Sequence, residues 1–200
     1  MTQERIPKFP AGQTLAIIPC TNQKSEVGGP AREVWIGSHF QYVLAHCEMF
    51  YDKVLIMSYK YGLISPDYVI EPYDIDMKDA KPAEKIRWWF AMRQDIHTVA
   101  AYEPLLVALY TGDFERERII REFVRQGVRQ VILPFQGLSI GRRLAAVYDC
   151  EPPFDPEKAA VHGYDLAENY GGGDVVANKL APGTKYLPPE TALTDPIEWE

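Results

Sequence analysis

The fold is decided first by the stretch Thr14-Leu-Ala-Ile-Ile-Pro19, a continuous apolar run that is too short for a helix. The run lacks the polar alternation of a half-exposed strand, and this is typical of a strand that is buried on both faces of a sheet. Runs of the same kind recur at three later places in the chain: residues 53–58, 105–110 and 129–134. We therefore expect four buried strands.

Segments with helical character lie between and after these strands, at residues 31–51, 82–102, 114–126 and 141–148. In the first three of these segments, helical spacing predicts which residues are buried. They are Val34, Tyr42, Ala45 and Met49 in the first segment, Ile86, Phe90, Ile96 and Val99 in the second, and Ile119, Ile120, Phe123 and Val124 in the third. The third helix is expected to end at Gly127, a residue suited to a left-handed cap. Because strand and helix alternate, the sequence predicts an α/β protein with three layers, αβα, around a mainly parallel sheet of about four strands.

The charge of the chain is unevenly distributed. Residues 1–150 hold 18 Lys and Arg against 18 Asp and Glu, whereas residues 151–200 hold 3 against 10, so the last part carries the net charge of −7. We expect residues 1–150 to form one α/β domain with its site at the carboxyl ends of the strands. Residues 151–200 are expected to form an acidic, Gly/Pro-rich extended arm packed on that domain.

The sequence also predicts the cellular location of the protein and the redox state of its cysteines. No apolar run reaches the roughly 18 residues that a bilayer span needs, and the first ten residues are too polar for a signal peptide. We expect a cytoplasmic protein that does not contact a membrane, and the oligomeric state is left open. The three cysteines match neither a disulfide framework nor zinc-site spacing, so we expect reduced thiols, no metal and no cofactor.

Candidate binding residues follow the expected strands. In open α/β sheets, ligands bind outside the carboxyl ends of the strands. The residues at these positions are Cys20, Thr21, Asn22 and Lys24 after the first strand; Ser58, Lys60, Tyr61 and Gly62 after the second; and Gln136, Gly137, Gly141 and Arg142 after the fourth. We expect residues 20–21, 60–61 and 137–142 to converge on one cavity.

The most distinctive segment is Ser58-Tyr-Lys-Tyr-Gly-Leu-Ile-Ser-Pro-Asp67, followed by Glu71-Pro-Tyr-Asp74. We expect it to be an irregular loop of about 20 residues between a strand and a helix, a length often associated with function. The alternative is structural: Tyr61 and Tyr73 fill a small satellite core, and Asp67 caps a turn.

These motifs resemble those of a bacterial and phage-associated family of unknown function. The resemblance rests on Ile18-Pro-Cys-Thr with Lys24, on Ser58-x-Lys-Tyr-Gly-Leu-Ile-x-Pro-Asp67, on Pro72-Tyr-Asp74 and on Gly137-Leu-x-Ile-Gly-Arg142, over residues 14–148. The stretch from Ser58 to Met77 is also similar to YaaA-type peroxide-stress proteins, which are associated with DNA binding. The Pro-Cys-Thr turn looks like that of archaeosine-synthase-type domains, whose fold is related to uracil-DNA glycosylases. Together the resemblances imply recognition or cleavage of a nucleobase, and one suggests antiphage defence.

Hydrolysis of an N-glycosidic bond needs a carboxylate that stabilises a developing cation or activates water, and donors that neutralise the departing base. Asp67 and Asp74 are the candidate carboxylates. We favour Asp74, because Asp67 directly after Pro66 has the pattern of a turn residue. The candidate groups for the base are Lys60, Asn22 and Gln136 on its edge and Tyr61 or Tyr73 on its face.

Several alternatives stay open at this point. Cys20 is either a catalytic thiolate or a packed thiol, and the latter is the favoured interpretation. Gly137, Gly141 and Arg142 either hold a phosphate or form a tight turn between strand and helix. Three functions also stay open. The protein is an N-glycosidase that acts on a nucleic acid, a noncatalytic DNA-binding protein of the stress response, or a hydrolase of small-molecule nucleosides or nucleotides.

Overall fold

The computed structural model describes residues 4–135 except 76, 78, 112–115 and 129, together with residues 143, 145 and 147 and the backbone of residues 175–176 and 179–180. The strands are β1 (Thr14–Pro19), β2 (Gly29–Pro30), β3 (Lys53–Ser58), β4 (Gly62–Ile64), β5 (Val69–Ile70), β6 (Leu106–Leu109), β7 (Val131–Ile132), β8 (Val175–Val176) and β9 (Lys179–Leu180). The helices are α1 (Ala31–Val34), α2 (Ser38–Phe50), α3 (Pro82–Ala100) and α4 (Arg116–Arg125).

Among the described residues, the main sheet has five strands in the order β4-β3-β1-β6-β7. β3, β1, β6 and β7 are parallel to one another, and β4 is antiparallel to β3. Two smaller antiparallel pairs are formed by β2 with β5 and by β8 with β9. The predicted α/β class with a mainly parallel sheet is confirmed, with five strands in place of about four.

The central strand β1 is covered on both faces. Leu15 and Ile17 pack in one apolar cluster with α3 and α4, while Ala16 and Ile18 pack in a second cluster with α2. Successive side chains of a strand point to opposite faces, so the two clusters lie on opposite sides of the sheet. This three-layer arrangement explains why the run from Thr14 to Pro19 is continuously apolar.

The first predicted helix differs from the structure in extent and in its buried face. The structure divides this predicted helix into α1 and α2. Tyr42, Ala45 and Met49, which were predicted to be buried, are exposed, and the exposed fraction of Met49 is 64%. The apolar residues of α2 that are buried are Phe40, Val43, Leu44 and Cys47. The sequence offers two apolar stripes on this helix, and burial selects the one with more aliphatic and aromatic surface.

The other two helices are closer to expectation. In α3, Ile96 and Val99 are buried as predicted, but Ile86 is 37% exposed and Phe90 55% exposed because Trp88 and Trp89 take the buried positions. In α4, all four predicted residues are buried. Gly127 adopts a left-handed conformation after α4, with φ of +84°. The predicted cap is therefore confirmed.

The segment between β3 and α3 is more regular than the expected loop. Ser58 pairs with Gly62 in the tight hairpin that joins β3 to β4, and β5 pairs with β2. The expectation of an irregular loop is wrong over these strands. The reason is that Leu63 and Ile64 extend the buried sheet by a strand too short for its pattern to be recognised.

The last part of the chain is described only in places. Residues 143, 145 and 147 are helical and lie in the predicted fourth helix. The rest of that helix lies outside the described residues, and so does the predicted arm at 151–200 apart from the backbone of β8 and β9. In the described part of the chain, no helix combines the length and apolar character required to cross a membrane.

Candidate functional site

The site is built at the carboxyl ends of β1 and β3, on the face of the sheet that α2 covers. Cys20 follows β1, and its backbone N–H donates to the carbonyl of Met57 at 3.0 Å. The Tyr73 hydroxyl lies 2.7 Å from Ser58 Oγ and donates to Cys20 Sγ at 3.8 Å. Tyr73 therefore fastens the segment before α3 onto the ends of two neighbouring strands.

Tyr61 forms an aromatic pair with Tyr73. The ring centroids are 5.6 Å apart, and the planes are inclined at 76°. The Tyr61 hydroxyl donates to the carbonyl of Glu71 at 3.1 Å and accepts the N–H of Glu71 at 3.2 Å. Both rings are half-buried, so part of each is open to solvent.

Two lysines lie over these rings. Lys24 Nζ is 4.8 Å from the centroid of Tyr73, and Lys60 Nζ is 5.0 Å from the centroid of Tyr61 and 5.7 Å from that of Tyr73. No carboxylate of the described residues forms a salt bridge with either ammonium group. We call Lys24, Lys60, Tyr61 and Tyr73 the lysine–tyrosine site. Its chemistry suits a ligand that has both a negative charge and a flat ring.

Ser58 shapes the turn that carries Lys60 and Tyr61. Its Oγ accepts the N–H of Lys60 at 3.3 Å and that of Tyr61 at 3.1 Å, and its carbonyl accepts the indole N–H of Trp88 at 3.1 Å. The residue is 0% exposed. Ser58, predicted to bind substrate, thus holds the binding residues in place from beneath.

Gly62 has a steric role in the same turn. It adopts φ of +72°, where a side chain is strained, and a Cβ would collide with the carboxylate of Asp95. The neighbouring Arg5 Nη1 would lie 2.6 Å from that Cβ. The predicted binding residue Gly62 is therefore required by close packing behind the site.

The Cys20 thiol is poorly suited to act as a nucleophile. Burial raises its pKa, and this effect outweighs hydrogen bonds from the Tyr59 backbone and Tyr73 and the charge of Lys24. Burial likewise raises the pKa of Tyr73. Both groups are protonated at neutral pH, which favours the packed-thiol interpretation of Cys20.

Thr21 and Asn22, the next two predicted residues after β1, have different surroundings. Thr21 Oγ1 accepts the N–H of Gln23 at 3.4 Å. It also lies close to Gly37, since a Cβ added to this glycine would be 3.0 Å from Thr21 Oγ1. Asn22 is exposed. Thr21 thus connects the end of β1 with the beginning of α2, while Asn22 is open to solvent.

The two candidate carboxylates differ in surroundings. Asp67 lies in a turn in which the N–H of Tyr68 donates to the carbonyl of Ser65, and its Oδ1 is 2.8 Å from Arg32 Nε. The Asp67 side chain is 69% exposed. Asp74 is exposed directly after Tyr73, and the described residues offer it no hydrogen-bond or ion-pair partner. Asp74 thus adjoins the lysine–tyrosine site through its sequence neighbour Tyr73.

The structure brings together Cys20, Lys24, Ser58, Lys60, Tyr61 and Tyr73. Gln136, Gly137, Gly141 and Arg142 lie outside the described residues, so their convergence on this site stays a prediction. Among the residues that are described, no group of three His, Cys, Asp or Glu side chains is arranged to hold a metal ion.

Arg5 and Asp95 are residues that the sequence analysis missed. Asp95 lies on the buried face of α3 between Met92 and Ile96, and a carboxylate in an apolar stripe is a signal that it has a partner. Arg5 carries no such signal, because its role depends on a contact 90 positions away in the chain.

No curated protein and no solved structure matches the chain. The profile of the family of unknown function DUF6884 matches residues 15–149, which include every described residue of the site. Since this match spans well over half of the 200 residues, the protein belongs to the DUF6884 family.

Proposed function

We propose that the lysine–tyrosine site binds a nucleobase together with a neighbouring phosphate, and that the protein hydrolyses the N-glycosidic bond of the bound nucleotide. The proposal is carried by one observation: two ammonium groups lie over a pair of partly open tyrosine rings with no carboxylate paired to them in the described residues. Lysines attract phosphate, and an aromatic face stacks on a base.

The proposed reaction is a hydrolysis. Water attacks the anomeric carbon of the sugar, the bond from this carbon to the base nitrogen breaks, and its electron pair leaves with the base. Asp74 takes a proton from the water, and Lys60 gives a proton to the base nitrogen as the base departs. Transfer of a proton from Asp74 to Lys60 through solvent then restores both groups. Lys60 is the donor that neutralises charge on the leaving base.

The choice of a nucleobase rests in part on resemblance. Residues 58–77 are similar to YaaA-type proteins, and the turn at Cys20 to the domains related to uracil-DNA glycosylases. The described geometry adds chemistry of the kind that such a ligand needs. A role in antiphage defence belongs to the same proposal, as the phage-associated resemblance implies.

One observation favours a second candidate, a noncatalytic nucleic-acid-binding protein. Asp74 has no described partner that orients its side chain, and Asp67 is engaged with Arg32. A catalytic carboxylate is usually oriented by neighbouring groups. If Asp74 is not oriented by the ligand itself, the site binds without cleaving.

The experiment measures binding and base release on the same samples. Fluorescence anisotropy with a labelled single-stranded oligonucleotide gives the affinity, and mass spectrometry of the filtrate detects free base from DNA, RNA, nucleotides and nucleosides. We expect Lys60→Ala to weaken oligonucleotide binding and to reduce the slope of log affinity against log salt by about 0.7.

Lys53→Ala is the matched control, because Lys53 is the first residue of β3 and so lies at the end of that strand opposite to the turn that carries Lys60. It should leave the affinity unchanged. Equal effects of the two substitutions would contradict binding at this site. Binding without release of any base would select the noncatalytic candidate, and release from free nucleosides alone would identify a small-molecule hydrolase.

A further inference from the structure

An ion pair between a partly exposed arginine and a buried aspartate lies directly behind the turn that carries Lys60 and Tyr61. Arg5 binds the carboxylate of Asp95 through both terminal nitrogens, with Nη1 at 2.7 Å from Oδ2. The Asp95 side chain is 3% exposed, and that of Arg5 is 37% exposed. The pair joins a residue near the start of the described chain to the middle of α3.

The same pair holds the backbone of the turn. Arg5 Nη1 donates to the carbonyls of Tyr61 and Leu63, the latter at 3.3 Å, and Asp95 Oδ2 accepts the N–H of Leu63 at 2.8 Å. Between these contacts lies Gly62, whose missing side chain lets the turn approach the pair. The residues on both sides of Gly62 are thus fixed by one cation and one carboxylate.

Arg5 is also held in place by its own backbone. Its carbonyl accepts the N–H of Ser65 at 2.8 Å, just after β4. The backbone of Arg5 is therefore bonded to the residue that follows β4, and its side chain reaches Asp95 of α3 beneath the turn. On the other side, Ser58 Oγ accepts two N–H groups of the turn, so the Lys60–Tyr61 unit is fastened from two directions.

We infer that Arg5 and Asp95 are positioning residues of the lysine–tyrosine site: they hold Lys60 and Tyr61 in the arrangement that binds the ligand. The inference rests on the proposed function for its ligand. Its physical basis is that a guanidinium fork bridges two carbonyls and a carboxylate, a pattern that an ammonium group cannot reproduce. Arg5 contacts no ligand in this account and acts through the turn.

The test compares Arg5→Lys with Arg93→Ala. Arg93 is a matched control, because it also pairs a partly exposed guanidinium with a buried carboxylate, Glu122, at side-chain exposures of 38% and 3%. Arg5→Lys keeps the positive charge over Asp95, so the variant is expected to fold. Arg5→Ala is the stronger change and is used where circular dichroism shows that it folds.

The first readout needs no ligand. Hydrogen exchange of peptides covering residues 59–64 should accelerate several-fold in Arg5→Lys and stay at the parent rate in Arg93→Ala. Unchanged exchange in this segment would overturn the inference whatever the protein binds.

The second readout is affinity for the labelled oligonucleotide. Arg5→Lys should weaken binding about tenfold, and this loss should disappear in a background that already contains Lys60→Ala and Tyr61→Ala. An affinity loss of the same size in that background, or none in the parent background, would overturn the inference. If the parent protein binds no nucleotide probe, the proposed function fails, and hydrogen exchange alone judges the positioning role.

Discussion

Replacement of Gly62 by alanine tests how closely the turn of the site is packed against its support. The residue has φ of +72°, and left-handed backbone costs alanine about 1–2 kcal/mol. In addition, a Cβ would overlap the Asp95 carboxylate, so the hydrogen bond from the Leu63 N–H to Asp95 must lengthen or break. A hydrogen bond to a charged group contributes about 1.5–3 kcal/mol, so the total loss is about 2.5–5 kcal/mol.

Gly127→Ala is the control for this prediction. Gly127 has φ of +84°, but a Cβ there would have no atom within 4 Å. Its substitution carries the backbone strain alone, with a loss of about 1–2 kcal/mol. The assay is urea unfolding followed by tryptophan fluorescence. If Gly62→Ala lowers the free energy of unfolding no more than Gly127→Ala does, the packing of Arg5 and Asp95 against this turn is not as described.

Three further predictions concern the site. If the proposed hydrolysis takes place, Asp74→Asn should abolish base release and leave the free energy of unfolding unchanged. Asp67→Asn should then keep the parent rate and lower the free energy of unfolding by less than about 1 kcal/mol, because its pair with Arg32 is exposed. Rates in the reverse order would contradict the assignment of Asp74. Tyr73→Phe should cost about 1–3 kcal/mol in a urea titration, since Ser58 loses a partner for its buried hydroxyl, and a change within error would show that this bond is not formed. Iodoacetamide should modify Cys20 more slowly than a free thiol at pH 8, because burial raises its pKa. The same raised pKa leaves the free energy of unfolding unchanged below the unfolded pKa of about 8.5, where the thiol is protonated in both states, and lowers that free energy as pH rises above it. Alkylation as fast as that of a free thiol would restore the nucleophile interpretation.

The sheet was predictable from the sequence for a simple reason. A strand buried on both faces must be apolar at every position, and the run from Thr14 to Pro19 and the run from Lys53 to Ser58 have no other simple explanation. The faces of the helices were harder to predict. In α2, Met49 and Phe40 belong to different stripes at helical spacing, and only the packing against the sheet decides between them.

The site was predictable to the extent that it follows the strands. Because the carboxyl ends of parallel strands lie together, the sequence predicts that Cys20 and Lys60 lie at the same end of the sheet. Pro66 before Asp67 likewise indicates the turn that the structure contains. The rule does not distinguish a side chain that faces a ligand from one that holds the backbone, so Ser58 was expected to bind and is buried instead. Arg5 and Asp95 meet only in the folded chain, and no local pattern at Arg5 indicates that contact.

We propose that a nucleobase lies against the tyrosines of the lysine–tyrosine site. Ultraviolet crosslinking of the protein to a single-stranded oligonucleotide, followed by mass spectrometry of the digested adduct, detects that contact. We expect the crosslinked nucleotide on peptides that contain Tyr61 or Tyr73, and we expect Lys60→Ala to reduce its yield. Crosslinks confined to other peptides, with a yield that is independent of Lys60, would contradict it.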